Sequence, residues 1–397
     1  MVGRPDVLVV GAGAAGVAAA VAAARAGAHT LLIEGSVRVG GLATVGLINL
    51  LLTMDDGAGH QVVGGLCQSF IDALVERGRA AHPPPDQWNS EDPVLVERWR
   101  RLGLIWGAPE SVRYSVAFDP EAFIDVCLER LAAAGARLQL ATWMAGVAMT
   151  EGRIEAVYVE SKRGREVLCP GVVIDATGDA DVAVTAGADH EAVSIPPHLW
   201  FRVGGVPTGS GQFAFETMDG GRWLVPWGPL GRRVDPLDPA DMTAALMECR
   251  RAARQAFEAM KASSPGWSDA WLDDYAAILG ITESRRLVGD YVLAKEDADR
   301  RFDDAVARTG HWTRRDVVFD IPYRSLTTPA AANLLVAGRC ISTTRYVHQA
   351  TKEIPAAMAT GEAAGEAAAV AAAGGGDVRG VDVEVLRRRL AEAGAIV

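Results

Sequence analysis

The sequence predicts an α/β fold in which a parallel sheet, assembled from separated stretches of chain, carries an inserted α+β domain. Three observations lead there. A short β-branched run, Asp6–Val10, passes through Gly11-Ala-Gly-Ala-Ala-Gly16 into an Ala-rich helix reaching about Arg25. Two further apolar runs, Val172–Asp175 and Asn333–Val336, lead into small-residue turns far along the chain. From Leu138 to Val167, apolar and polar residues alternate around turns at Glu151-Gly152 and Arg163-Gly164, the pattern of a three-stranded antiparallel meander.

The bulk numbers bound the reading. The 397 residues are 49% hydrophobic and 22% charged, enough chain for two to three domains with a large core. A net charge of −11 argues against a nucleic-acid or anionic-membrane partner, which would call for a basic face. The most hydrophobic stretch, Val7–Ala24, is interrupted by Gly11, Gly13 and Gly16 and lacks a secretory layout, so neither a membrane span nor export is expected. The five cysteines (Cys67, Cys127, Cys169, Cys249, Cys340) form no CxxC or Cys/His cluster. That pattern supports no metal site and no dithiol pair, and reads as reduced thiols in a cytoplasmic protein. Glycine is in excess, 43 residues or about 11% against a usual figure of about 7%.

The N-terminal unit explains part of that excess. Gly11 permits a tight turn, Gly13 lets the backbone approach a pyrophosphate, and Gly16 lets helix and strand pack closely. The helix N-terminus offers unpaired N–H groups and a positive dipole end to phosphates. A second strand, His29–Ile33, follows a turn at Gly27 and ends in Glu34, which stands 21 residues after Gly13. An acid there accepts the hydroxyls of an adenosine ribose and repels a 2′-phosphate. Strand, glycines, helix, strand and acid together make a Rossmann-like dinucleotide unit.

The order of the remaining segments carries a family resemblance. Gly40-Gly-Leu-Ala-Thr44 follows Glu34; Val172-Val-Ile-Asp-Ala-Thr-Gly-Asp179 and Asn333-Leu-Leu-Val-Ala-Gly-Arg-Cys-Ile-Ser342 are strands running into glycine turns; Pro355 opens an Ala/Gly-rich helix. This order resembles the glutathione-reductase-type FAD fold and, within it, the FAD-dependent oxidoreductases related to fumarate reductase. Asp119-Pro-Glu-Ala-Phe123, Gly280-Ile-Thr-Glu-Ser-Arg-Arg286 and Asp320-Ile-Pro-Tyr-Arg324 are also similar to stretches of that family. The resemblance implies an FAD site lined by Gly11, Gly13, Ala14, Ala15, Gly16, Glu34, Gly35, Arg38, Gly40, Gly41, Ala43, Thr44, Ala176, Thr177, Gly178, Gly338 and Arg339. It also implies that backbone near Met144 faces the adenine, and that Ile354 opens the helix whose Ala356 and Ala357 amides face the flavin pyrimidine ring. Pro355 suits the first position of that helix, where its missing N–H costs nothing. The dipole there favours negative charge.

On this reading the FAD domain comprises residues 1–50, 113–190 and 315–397, and a substrate domain comprises 51–112 and 191–314. No second strand–GxGxxG–helix unit is present; Gly204–Gly211 is glycine-rich but contains Pro207 and reads as a loop. With no separate nicotinamide domain and no paired thiols, the expected chemistry is direct hydride exchange between a small or medium organic substrate and the flavin. Oxygen or an external carrier then completes the cycle. Two other readings stand beside this dehydrogenase or oxidase: a C=C reductase fed by an electron-transfer partner, and a non-catalytic FAD-bearing assembly protein. A homo-oligomer is left open.

Candidate chemistry lies in Thr343–Glu353, between Gly338 and the helix at Pro355. His348 titrates near neutral pH and suits proton transfer; Lys352 or Arg345 suits a substrate carboxylate or a developing oxyanion. Arg345 and Lys352 depart from the His and Arg that relatives commonly carry, as does Thr282 where an Arg is common, which points to a changed substrate. Arg285 and Arg286 read as structural ties, and His60 is a weaker catalytic candidate. Six of the ten tryptophans (Trp200, Trp223, Trp227, Trp267, Trp271, Trp312) fall outside the FAD segments and suggest an aromatic substrate pocket, or simply the packing of the second domain.

Overall fold

The computed structural model describes residues 4–108, 110–206, 214–226 and 230–397. Its centre is a five-stranded parallel sheet of β1 (Val7–Val10), β2 (Thr30–Ile33), β3 (Arg137–Gln139), β4 (Val172–Asp175) and β5 (Leu334–Val336), in the order β5-β4-β1-β2-β3. Strands β1, β2, β4 and β5 are fully buried and almost wholly aliphatic, as a sheet covered on both faces requires. The expected α/β class is the class found. The meander occupies Trp143–Thr150, Arg153–Ser161 and Gly164–Leu168. Leu138 lies outside it, in β3, because Arg137–Gln139 pairs with Leu31–Ile33 and extends the parallel sheet by one edge strand.

Helix α1 (Ala14–Arg25) packs against the long helix α4 (Ile354–Ala373), and both lie against the sheet. Their backbones come so close that a Cβ at Gly361 would stand 2.1 Å from the Ala15 carbonyl oxygen, and one at Gly365 would stand 2.2 Å from that of Ala19. Alanine and glycine therefore fill this contact. Of the glycine excess, these two serve helix packing rather than a turn.

Helix α2 (Gly65–Glu76) places Leu66, Cys67, Phe70 and Leu74 in the same core as Phe118 and Phe123. Its first turn lacks a local cap. Instead Glu362, reaching across from α4, accepts the Leu66 N–H at 2.9 Å. Burial lifts the Glu362 carboxyl from about 4.5 to about 7, partly offset by that N–H and by Arg25. A carboxyl raised on folding stabilises fully below its unfolded pKa, and that contribution is lost as pH rises through the folded value. Stability should therefore fall between about pH 4.5 and 7, by on the order of 3 kcal/mol from this group. Glu362→Gln keeps an acceptor for Leu66 and should flatten that decline in chemical denaturation at pH 5 and pH 8. An unchanged slope would assign the decline to another group.

A second lobe is built on a four-stranded antiparallel sheet in the order Phe215–Glu216, Arg222–Val225, Phe201–Gly204, Trp271–Tyr275. The 25-residue helix Pro239–Ser263 lies along it, its N-terminus capped by Asp238. Trp223 and Trp267 fill this lobe's core with Phe201 and Phe257, which meets the packing alternative for those two residues. Part of Gly204–Gly211 and all of Trp227 fall outside the described residues. Among the described residues no helix is long and apolar enough to cross a membrane, and no cluster of His, Cys, Asp and Glu is placed to hold a metal ion.

Candidate active site

The C-terminal ends of β1, β4 and β5 open into one cavity of about 520 Å³. This is where an open parallel sheet offers unpaired strand ends and helix N-termini to a ligand. The cavity brings together residues spread over almost 350 positions: Gly11, Gly13, Ala14, Ala15, Glu34, Arg38, Gly40, Gly41, Ala43, Ala176, Thr177, Gly178, Arg339, Lys352, Ile354 and Ala357 all line it.

The β1–α1 turn is shaped for close approach. Gly11 sits at φ +94°, and a Cβ there would stand 2.7 Å from the Ala176 carbonyl oxygen. A Cβ at Gly16 would collide with the carbonyl oxygen of Gly11. At Gly13, by contrast, nothing lies within 4 Å, so the missing side chain leaves open space on the cavity side. The amides of Ala14, Ala15 and Gly16 donate to no backbone acceptor, the first helical bond being Val17 N–H to Gly13 O. Glu34 holds this turn: its carboxylate accepts Ala12 N–H at 2.7 Å and Ser36 N–H at 2.8 Å.

Helix α4 points a second N-terminus at the cavity. Its first residue is Ile354, so Pro355 occupies the second position rather than the first. The Ala357 amide donates to Glu353 O at 2.9 Å and is spent within the helix, a correction to the expected pair. Ile354 and Ala356 carry the amides with no acceptor. Ala356 is itself fully buried and does not line the cavity.

Several predicted residues stand behind the wall. Thr44 donates to Val39 O at 2.6 Å and fills the space a side chain at Gly40 would need. The Gly338 N–H donates to Thr360 Oγ1 at 3.0 Å, beside Ala15. Gly35 lies beneath Trp143, and Met144 follows that residue in the meander. Arg38 pairs with Glu121, while Arg339 donates to Gly178 O at 2.7 Å, to Asp179 and to Ile281 O.

The three candidate catalytic residues meet three different fates. Lys352 lines the cavity, its side chain only 14% exposed, with Glu353 Oε1 2.8 Å from Nζ and the Trp312 ring 5.9 Å away. Arg345 points to solvent, 58% exposed, paired with Glu283 at 3.3 Å. His348, in α3 (Arg345–Thr351), is completely buried and does not reach the cavity. Its Nε2–H donates to Thr282 O at 3.1 Å, and burial drives its pKa down to about 3. It is a neutral structural imidazole at physiological pH, which removes the basis for assigning it proton transfer. His60 is likewise displaced from the chemistry: it is exposed and bonded to Asp56 at 2.8 Å. Arg285 bonds Asp179 O and Asp181, and Arg286 bonds Thr343 O, Glu283 and Glu191, the structural ties expected of them.

Other residues were not legible beforehand. Leu42, Val45, Pro236, Met242, Ile278, Leu279 and Ile281 give the cavity an apolar wall, several of them from the second lobe. Among the described residues the one tryptophan on the wall is Trp143, from the meander; Trp271 lies 56% exposed, away from it. His198 packs on Trp200 at 5.8 Å between ring centroids, its ring seated against Gly280, where a Cβ would collide with it. Burial, with the Lys352 charge added, lowers its pKa to about 4, and its Nδ1 has no hydrogen-bond partner.

The residues fit the dinucleotide implied by the sequence. Two helix N-termini present unpaired amides to one cavity, Gly13 leaves backbone bare beside it, and Glu34 and Lys352 both line it. Comparison with known proteins agrees. Residues 6–217 and 211–390 match the family described as FAD dependent oxidoreductase. No protein of curated function matches the chain. Among solved structures, p-nitrophenol 4-monooxygenase PnpA from Pseudomonas putida DLL-E4 is similar at 14% identity and a TM-score of 0.56, over 98% of this chain and 84% of that one. A geranylgeranyl bacteriochlorophyll reductase-like protein from Thermoplasma acidophilum is similar at 14% identity and a TM-score of 0.51, over 99% and 85%. At that identity the likeness is one of fold.

Proposed function

The chain belongs to the FAD-dependent oxidoreductase family, and from that premise we propose that it exchanges a hydride between FAD and a small or medium organic substrate. The bound flavin supplies the two-electron chemistry; the chain supplies binding, orientation and charge. The observation that carries the proposal is the position of Lys352: a largely buried cation on the cavity wall, two residues before the start of a helix whose first amides are unpaired. Cation and dipole together stabilise negative charge developing at one end of the cavity. At the other end Glu34 is placed for ribose hydroxyls, and the Ala14 and Ala15 amides between them suit a pyrophosphate. Leu279 and Ile281 exclude water from the reacting end.

Within the family we place the chain with the enzymes related to fumarate reductase, on Gly280–Arg286 and Asp320–Arg324. We assign residues 191–314 to covering the substrate, with residues 51–112 as the rest of that domain, and oxygen or an external carrier as the second reactant. Five unpaired thiols support a reducing compartment, the cytoplasm. The test is an anaerobic substrate screen on FAD-loaded protein, followed by flavin absorbance. Substrate-driven bleaching supports a dehydrogenase or oxidase. Re-oxidation of chemically reduced flavin by substrate would make it a reductase, and a protein that binds no FAD would overturn the reading.

A further inference from the structure

Trp143 brings a large aromatic side chain to the cavity wall. Trp143 is 65% exposed although it lines the cavity, so a broad apolar surface faces the space a ligand would fill. Its position is fixed by the backbone. Thr142 N–H donates to Glu34 O at 2.9 Å and Ala141 N–H donates to Ser36 O at 3.0 Å, locking the start of the meander to the end of β2. The indole lies over Gly35: a Cβ there would stand 2.7–2.8 Å from Cδ2, Cε2 and Cε3 of the ring. Gly35 has no positive φ to explain it, so the seat for this ring is what requires a glycine.

We propose that Trp143, seated on Gly35, is the stacking platform for the adenine ring of FAD, and that this contact makes the protein select FAD over flavins without adenine. The inference rests on the FAD reading above. It follows from connectivity: if Glu34 takes the ribose hydroxyls, the base attached to that sugar lies within one ring of Glu34. The aromatic surface available there on the cavity wall is the indole of the residue hydrogen-bonded, through Thr142, to Glu34 itself. Stacking needs only a π face and a planar partner.

The test is the dissociation constant of FAD and of ADP from apoprotein, for wild type, Trp143→Ala and Trp143→Phe. Trp143→Ala should weaken both ligands about 10- to 100-fold, leave riboflavin binding unchanged and leave the apoprotein melting point unchanged, since the side chain is exposed. Trp143→Phe should recover most of the affinity. ADP should quench a tryptophan emission component that Trp143→Phe lacks. Equal FAD affinity in wild type and Trp143→Ala would overturn the platform and leave the FAD reading standing; wild-type protein that binds no FAD would overturn both.

Discussion

Replacing Lys352 with methionine should slow flavin reduction by substrate by about 100-fold or more while the protein still binds FAD, the loss typical of removing one pre-oriented charge from a water-poor site. Lys352 is 14% exposed, and its ion-pair partner is Glu353. Removing the ammonium leaves Glu353, 12% exposed, without its counter-ion, so stability will also fall. Lys352→Met with Glu353→Gln separates the two effects: the double variant should recover stability and remain slow. A second readout belongs to Lys352 alone. Burial first, and the Lys352 charge after it, hold His198 near pKa 4, and His311 is held near 4 by burial, Arg314, Arg113 and Lys352. Both should titrate higher in Lys352→Met, since each loses a nearby positive charge. Arg345→Ala, which removes a solvent-facing cation, should leave the rate near wild type. Comparable losses in the Arg345 and Lys352 variants would remove Lys352 from the chemistry.

The contrast between Lys352, Arg345 and His348 shows where sequence reading ends. All three lie within eight residues, between a strand-end glycine and a helix start, yet only Lys352 lines the cavity. That bracketing carried no information about direction. Whether a side chain meets solvent, core or cavity depends on α3 packing against Thr282 and Glu283, residues more than 60 positions away. The glycine turns were legible for the opposite reason: Gly11-Ala-Gly-Ala-Ala-Gly16 is a local conformational demand, met within six residues. The apolar wall from Pro236 to Ile281 was illegible because Met242, Leu279 and Ile281 look like core residues in any sequence. The expectation at Met144 concerned its backbone; that the neighbouring Trp143 side chain lines the cavity was not legible, because a period-two strand puts neighbours on opposite faces and only the structure shows which one meets the cavity.

Two glycine substitutions should separate the packing glycines from the cofactor-facing ones, with opposite signatures. Gly13→Ala places its methyl in open space, at a backbone geometry (φ −66°, ψ −179°) that alanine adopts freely. The apoprotein should lose less than about 1 kcal/mol, the scale of a helix-cap change. FAD affinity should nevertheless fall at least tenfold, because the methyl fills space the bare backbone leaves for the pyrophosphate. Gly361→Ala should do the reverse. Helix propensity alone favours it by about 1 kcal/mol, but the new Cβ meets the Ala15 carbonyl oxygen at 2.1 Å and the Ala15 Cα at 3.0 Å. Those are backbone atoms of a helix wedged against the central sheet and cannot rotate away as a side chain would. Overpacking of this kind costs about 1–3 kcal/mol and more where backbone must shift, so the net effect is a clear loss of stability. Gly365→Ala, at 2.2 Å from Ala19 O, should behave the same way one turn along. Denaturant midpoints of the apoproteins and FAD titrations of the folded variants read the two signatures independently. A Gly361→Ala protein as stable as wild type would mean that α1 and α4 do not pack this closely in solution; a Gly13→Ala protein with full FAD affinity would move the pyrophosphate away from the α1 N-terminus.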